Sequence, residues 1–239
     1  MTTIESYESA LDPARTAFAQ DPSVRLVQDP AIGETRLESF LITFNALGVA
    51  MTEPVEGWIR RAGQACVDTG GSGTTELGEA LQKHAAGEAD HHLMMISDLR
   101  ALCDRRTRAG RPAPDPDDML GLEWPEPVHR YRELHEDVIA GDTPFAQIAI
   151  ENEIELLSLG FGAGMLDNAR TLLHSDGSEL SFLDEHVSLD VGHTAFNKRQ
   201  MAGFLSERPD ALEPLVQAGT AALDAYRAFV GHCLALSPE

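Results

Sequence analysis

Residues 181–201, SFLDEHVSLDVGHTAFNKRQM, place His186, Asp190, His193 and Asn197 at intervals of four, three and four. A helix brings residues so spaced onto one face. Leu183, Val187 and Val191 give the same segment an adjacent apolar stripe. Earlier in the chain, HAAGEADHHLMMISDLRAL (84–102) carries His84, Glu88, His91, Met95 and Asp98 at the same period. A buried face of histidines and carboxylates requires a cation or a partner. Two such faces set against each other form a nitrogen/oxygen cage for one or two first-row metal ions. The chain must therefore supply helices that carry the two faces and a bundle that opposes them.

The rest of the sequence supplies helices. Residues 35–51 repeat Leu37, Phe40, Leu41, Phe44 and Leu47 at helical spacing, and Thr52-Glu53-Pro54 reads as the start of another helix, running to Cys66. Gly70-Gly71-Ser72-Gly73 is a loop, after which a long helix is expected over 74–106. The segment 109–127, AGRPAPDPDDMLGLEWPEP, is a surface loop of lid length. Helices are expected again over 128–139, 143–172, 177–205 and 209–235. No alternating strand pattern and no internal repeat is present. The reading is an all-α protein of about seven helices, with residues 1–32 as an N-terminal arm bearing a short helix and 33–239 as a single helical domain.

Composition narrows the function. The formal net charge is −21, from 18 Lys+Arg against 39 Asp+Glu. So acidic a surface argues against nucleic acid and anionic membranes as partners. Cys66, Cys103 and Cys233 are odd in number and lack CxxC spacing, which implies neither disulfides nor a zinc knuckle. The N-terminus lacks a basic and apolar leader and no apolar run is long enough to span a bilayer, so a cytoplasmic location is expected.

A dinuclear site needs a further carboxylate from a third helix. Residues 143–166 offer Glu151, Glu153 and Glu155. Glu153 is chosen, because its helical neighbours Ala149, Ile150, Leu156, Leu157 and Gly160 are apolar or small. A modest rotation of the helix would favour Glu151 or Glu155 instead. Glu56 is a candidate for an additional carboxylate, although a surface role is its more ordinary reading. Asp98 is expected to hold a histidine or a water beside the metals. His129, His135, His174 and His232 have no ligand-like company and read as surface residues.

HAAGEADHHLMMISDLRAL followed by FLDEHVSLDVGHTAFN resembles the haem-oxygenase-like diiron oxidases and oxygenases, the iron-containing redox enzyme family. The resemblance covers roughly residues 80–200. It is carried most specifically by His186, Asp190 and His193, with Glu88 and His91 matching the ExxH of one branch. Other branches place the first-helix carboxylate one or two turns earlier, at a position held here by His84. The resemblance implies a haem-oxygenase-like bundle and a diiron(II) site, with a middle-helix glutamate within 151–155 that it does not fix; with Glu153 taken there, two Fe(II) per chain are expected on Glu88, His91, Glu153, His186, Asp190 and His193. It also implies O2-dependent oxidation of a small molecule such as an amino acid or fatty acid, by N-oxygenation or oxidative C–C or C–H cleavage. The ligand set suits iron, since three imidazoles and three carboxylates without thiolate fit a hard to borderline ion. The expected partners are a small-molecule substrate and O2, and a homodimer is compatible with the reading. The alternatives are a metal-free enzyme on the same bundle (a cofactor-independent oxidase or a thiaminase-like hydrolase using Cys66 or Cys103) and a ferritin-like iron-binding protein.

Overall fold

The computed structural model describes residues 3–175 and 177–238, among which the regular elements are all helical. The N-terminal segment forms α1 (Thr3–Gln20) and α2 (Pro22–Val27). Asp21 caps α2 by accepting the Ser23 N–H at 2.8 Å, with Pro22 in the first turn. Helix α3 (Glu34–Thr52) is buried almost all round, from Leu37 to Met51, as expected of a helix at the centre of a bundle. It packs against the later helices α6, α8, α10 and α12.

Helices α4 (Val55–Thr69) and α5 (Thr74–Ala85) form a tight hairpin around the glycine loop. Gly63 and Gly78 face each other across it, and a Cβ on Gly78 would stand 2.5 Å from the Gly63 carbonyl oxygen. Then come α6 (His91–Arg108), the short α7 (Pro116–Leu120) and α8 (Glu126–Ala140). Helix α7 lies within the segment 109–127 and packs on α3, so that segment is a braced connection. Helices α9 (Gln147–Leu157) and α10 (Ala163–Leu173) are joined by a π turn at Ser158–Gly162. Helices α11 (Ser181–Glu207) and α12 (Leu212–Ala235) complete the chain.

The described residues thus contain ten α-helices of eleven residues or more, where about seven were expected. The stretch 74–106 breaks at 86–90, the π turn divides the middle helix, and the arm carries a full-length helix. Two apolar cores result. One gathers α3, α6, α10 and the end of α12; the other gathers α1, α4, α5, α9 and the start of α12. Val55, Ile154 and Leu157 pack against both. Helix α9 therefore runs along the seam between the cores, and its Glu155 carboxylate meets side chains from α5 and α11 there.

Candidate metal centre

His84 lies in the last turn of α5, and His91 opens α6. Glu88 lies between them in the non-helical link 86–90, so the expected single helix is interrupted at the carboxylate. Gly87 and Asp90 cause the break. Asp90 adopts the left-handed conformation (φ 65°), which Asp tolerates better than most residues. A Cβ at Gly87 would stand 3.3 Å from the His84 carbonyl oxygen and in ordinary contact with the His193 ring at 3.7 Å, so the link passes close to both.

The Glu88 carboxylate divides its two oxygens. Oε1 is 3.3 Å from His193 Nδ1 and 3.9 Å from His84 Nε2, whereas Oε2 is 3.1 Å from His91 Nδ1. Glu155 Oε1 closes the first group, 3.0 Å from His84 Nε2 and 3.6 Å from His193 Nδ1. Two donor sets emerge: His84, Glu88, Glu155 and His193, and beside it Glu88, His91 and His186. Donors held about 2.1 Å from one ion stand about 3.0–3.4 Å apart, and most of these separations fall in or near that range. His84 Nε2, His91 Nδ1, Glu155 Oε1 and His193 Nδ1 are all buried without a hydrogen-bond partner. Orphaned buried groups of this kind are costly, and a cation in each donor set would satisfy them, one beside His84, Glu155 and His193 and the other beside His91.

Asp190 is 2% exposed. Its Oδ1 lies 3.3 Å from His193 Nδ1, and its other oxygen accepts from the Ser158 hydroxyl on the π turn. His186 donates from Nδ1 to the Phe182 carbonyl at 2.7 Å, which leaves Nε2 free as a ligand atom. Asp98 holds neither a histidine nor the centre. It accepts the Ser181 and Phe182 N–H groups at 3.0 and 2.9 Å and the Ser181 hydroxyl at 2.7 Å. It thereby caps α11 from a neighbouring helix and fixes the carbonyl that orients His186.

The structure does not bring Glu153 to this cluster. Its carboxylate is gripped by Arg15, Nε at 2.7 Å and Nη2 at 2.8 Å, and by the Tyr7 hydroxyl at 2.8 Å. A glutamate on an apolar helix face does meet a cation here, but the cation is an arginine of α1. Glu155, one of the two alternatives, takes the position at the cluster, with Asn197 donating to its Oε2 at 2.7 Å. Glu151, one turn earlier, is buried and accepts from Gln147. Glu56 pairs with Arg60 on α4. His135, expected at the surface, is fully buried. It stacks on Trp58 at 4.0 Å and meets the Gln147 amide at 2.8 Å, so a chain of contacts runs from it through Gln147 to Glu151. The i, i+4 pair Gln147 and Glu151 was the available signal for that chain.

Burial pushes Glu151 up to about 8, with Glu155 and Glu88 adding to the rise. Burial also lifts Glu155 well above the usual carboxylate range, with Asp190 beside it. Burial raises Glu88 too, but His91, His84 and His193 outweigh it and hold the group below its ordinary value. Burial lowers His84 and His186. Four carboxylates (Glu88, Glu151, Glu155 and Asp190) thus crowd one buried region, and among the described residues no lysine or arginine hydrogen-bonds to them. Divalent cations held there would offset this crowding and favour the ionised carboxylates. The donor set fits such ions.

A cavity of about 100 Å3 adjoins the cluster. Glu88, Glu155, His186 and Asp190 form its polar end, and Phe44, Met51, Ile154, Met165, Leu183 and Val187 are among its apolar walls. The arrangement can hold ions at one end and an apolar molecule at the other.

No protein-family model and no curated protein matches the sequence. Solved structures do match the fold. One is described as a domain of unknown function with a heme oxygenase-like fold from Shewanella denitrificans OS217. It superposes with a TM-score of 0.76 at 14% identity, over 98% of this chain and 92% of that one. Another is a TenA homolog from Pseudomonas syringae pv. tomato str. DC3000, with a TM-score of 0.73 at 13% identity, over 97% of this chain and 92% of that one. The chain therefore has a haem-oxygenase-like fold. Among the described residues, no helix is long and apolar enough to cross a membrane.

Proposed function

We propose that this chain is a non-haem diiron enzyme that uses O2 to oxidise a small, largely apolar molecule. The carrying observation is the Glu88 carboxylate, whose two oxygens are shared between two imidazole-containing donor sets. His84, Glu88, Glu155 and His193 would hold one iron; Glu88, His91 and His186 would hold the other. Asp190 stands beside His193 as a further oxygen donor. Bound iron(II) supplies the electrons that O2 needs in order to react with a closed-shell substrate. The protein's own part is to fix the ligands and give the substrate an apolar wall. Asp98 and the Phe182 carbonyl hold His186 in one tautomer, and Asn197 turns Glu155 toward His84. The apolar walls leave a substrate one polar end to face.

The metal-free alternative on this fold, as in a TenA-like enzyme, would act through a thiol. Burial pushes Cys66 up to about 12 and Cys103 up to about 11, and neither lines the chamber. The thiol reading therefore has no nucleophile at the cavity.

Anaerobic loading with Fe(II), followed by removal of free metal and iron analysis, tests the proposal. Two irons per chain are expected, with one lost in Glu155→Ala and none lost in Glu153→Gln. A wild-type protein that retains no iron would overturn the reading and favour the metal-free alternative.

A further inference from the structure

Two cavities lie on either side of one wall. The chamber at the metal centre measures about 100 Å3. An outer groove of about 540 Å3 runs between α1, α2 and the π turn, lined by Phe18, Val24, Gln28, Leu156 and Gly160 among others. Leu157 and Phe161 line both. Phe161 is 6% exposed and meets Phe18 edge-on with ring centroids 5.6 Å apart. It is carried by the π turn Ser158–Gly162 and flanked by Gly160 and Gly162. Such turns break the regular helical ladder and recur at functional sites. A Cβ at Gly160 would meet nothing within 4 Å, and one at Gly162 would make only ordinary contacts. The segment that bears the partition is thus open to solvent on the Gly160 side and packed with ordinary contacts on the Gly162 side.

Size decides what the partition does. A dry apolar cavity of about 150 Å3 holds one benzene ring. A chamber of about 100 Å3 therefore encloses only a few carbon atoms, and a larger substrate must continue elsewhere. The space across Phe161 is several times larger and also apolar. Its one cation, Arg15, is already taken by Glu153 and Glu8, so the groove offers no free charge to a ligand.

We propose that Phe161 is the gate between chamber and groove, and that the substrate is a chain-like apolar molecule with an uncharged far end. Its reacting end lies in the chamber, and its remainder threads past Phe161 into the groove under α1 and α2. Phe161 is then the residue that sets the accepted chain length. The inference rests on the chamber being the substrate site of the proposed enzyme.

The test uses the whole metal-free protein and a neutral probe series, n-butanol through n-decanol, with affinity measured by calorimetry. Wild-type affinity should climb about fourfold per added methylene through the longer members, the gain expected for burying each methylene. Gly160→Leu adds bulk at the groove wall, where a Cβ meets nothing within 4 Å, and Phe161→Trp enlarges the partition. Both should match the wild type with n-butanol and stop gaining with the longer alcohols. Phe161→Ala should keep the full climb. The proposal is overturned if Gly160→Leu follows the wild type at every length, if the wild-type gain ends with the shortest alcohols, or if no alcohol binds. Iron stoichiometry is read in parallel. Loss of iron binding with the climb intact sinks the diiron reading and leaves the gate standing, whereas two irons with no climb sinks the gate alone.

Discussion

Replacing Asp98 with alanine should loosen one metal position from a distance. The side chain is 1% exposed and accepts three hydrogen bonds from the first turn of α11. Alanine leaves two partly buried backbone N–H groups and one hydroxyl without that acceptor. Loss of a capping side chain costs about 1 kcal/mol, and loss of hydrogen bonds to a charged acceptor costs about 1.5–3 kcal/mol. A loss of about 2–4 kcal/mol is therefore expected, which for a chain of this size lowers the melting temperature by roughly 5–15 °C. The Phe182 carbonyl then loses its fixed position, and with it His186 loses the partner of its Nδ1 proton. Removal of such an outer partner typically weakens metal binding by about 10–100-fold. The assay is urea denaturation of the metal-free protein paired with an anaerobic Fe(II) titration resolved into two steps. The His186 step should weaken and the other should hold. Asp98→Asn, which retains one acceptor oxygen, should recover much of both effects. A stability loss below about 1 kcal/mol, or equal weakening of both steps, would refute the chain of support from Asp98 through α11 to His186.

Other outcomes follow from different parts of the molecule. Arg15→Ala leaves Glu153 buried without its cation and should cost about 3–5 kcal/mol in urea denaturation while iron stoichiometry stays at two; lost iron would mean that Glu153 serves the centre after all. His135 is held neutral by burial, its value pushed down to about 3 from an ordinary 6.5. The unfolded chain therefore binds its proton first. The contribution of this residue to stability is complete above about pH 6.5 and falls by up to about 1.4 kcal/mol per pH unit down to about pH 3. Denaturation of wild type and His135→Phe at pH 7 and pH 5 reads the difference, and parallel pH profiles would contradict it. Gly78→Ala puts a Cβ 2.5 Å from the Gly63 carbonyl oxygen and must spread α4 from α5, at a cost of about 1–3 kcal/mol in thermal or urea denaturation. An unchanged melting temperature would show that the hairpin yields more easily than its packing implies.

The sequence was most informative where one uninterrupted helix carries the pattern. His186, Asp190 and His193 all lie on α11, and the helical period alone places them together. Around Glu88 the helix expected over 74–106 gives way to a turn. The periodic reading passed over Gly87 and Asp90, and spacing along a helix no longer describes residues on either side of a turn. On α9 the choice among glutamates failed for a different reason. Gln147 through Glu153 and Glu155 are all buried, so every face of the helix has company and apolar neighbours do not mark the metal-facing side. What separates Glu153 from Glu155 is Arg15, a residue 138 positions away, and pairing over that distance is a property of the fold. His135 was misjudged by the same limit, since its burial depends on Trp58 from another helix. The number of helices was undercounted because a five-residue link and a π turn leave hydrophobic periodicity nearly intact.

The link that carries Glu88 has a consequence for how the centre fills. Of the carboxylates gathered there, Glu151, Glu155 and Asp190 are mounted on helices, whereas Glu88 sits on a short turn between two. It is also the ligand common to both donor sets. An ion arriving at either position draws on that one carboxylate and settles the turn, and so alters the affinity left for the second ion. Linkage makes the effect mutual. The two occupancies are then not independent variables, and the titration curve of this protein with iron should depart from that of two separate sites.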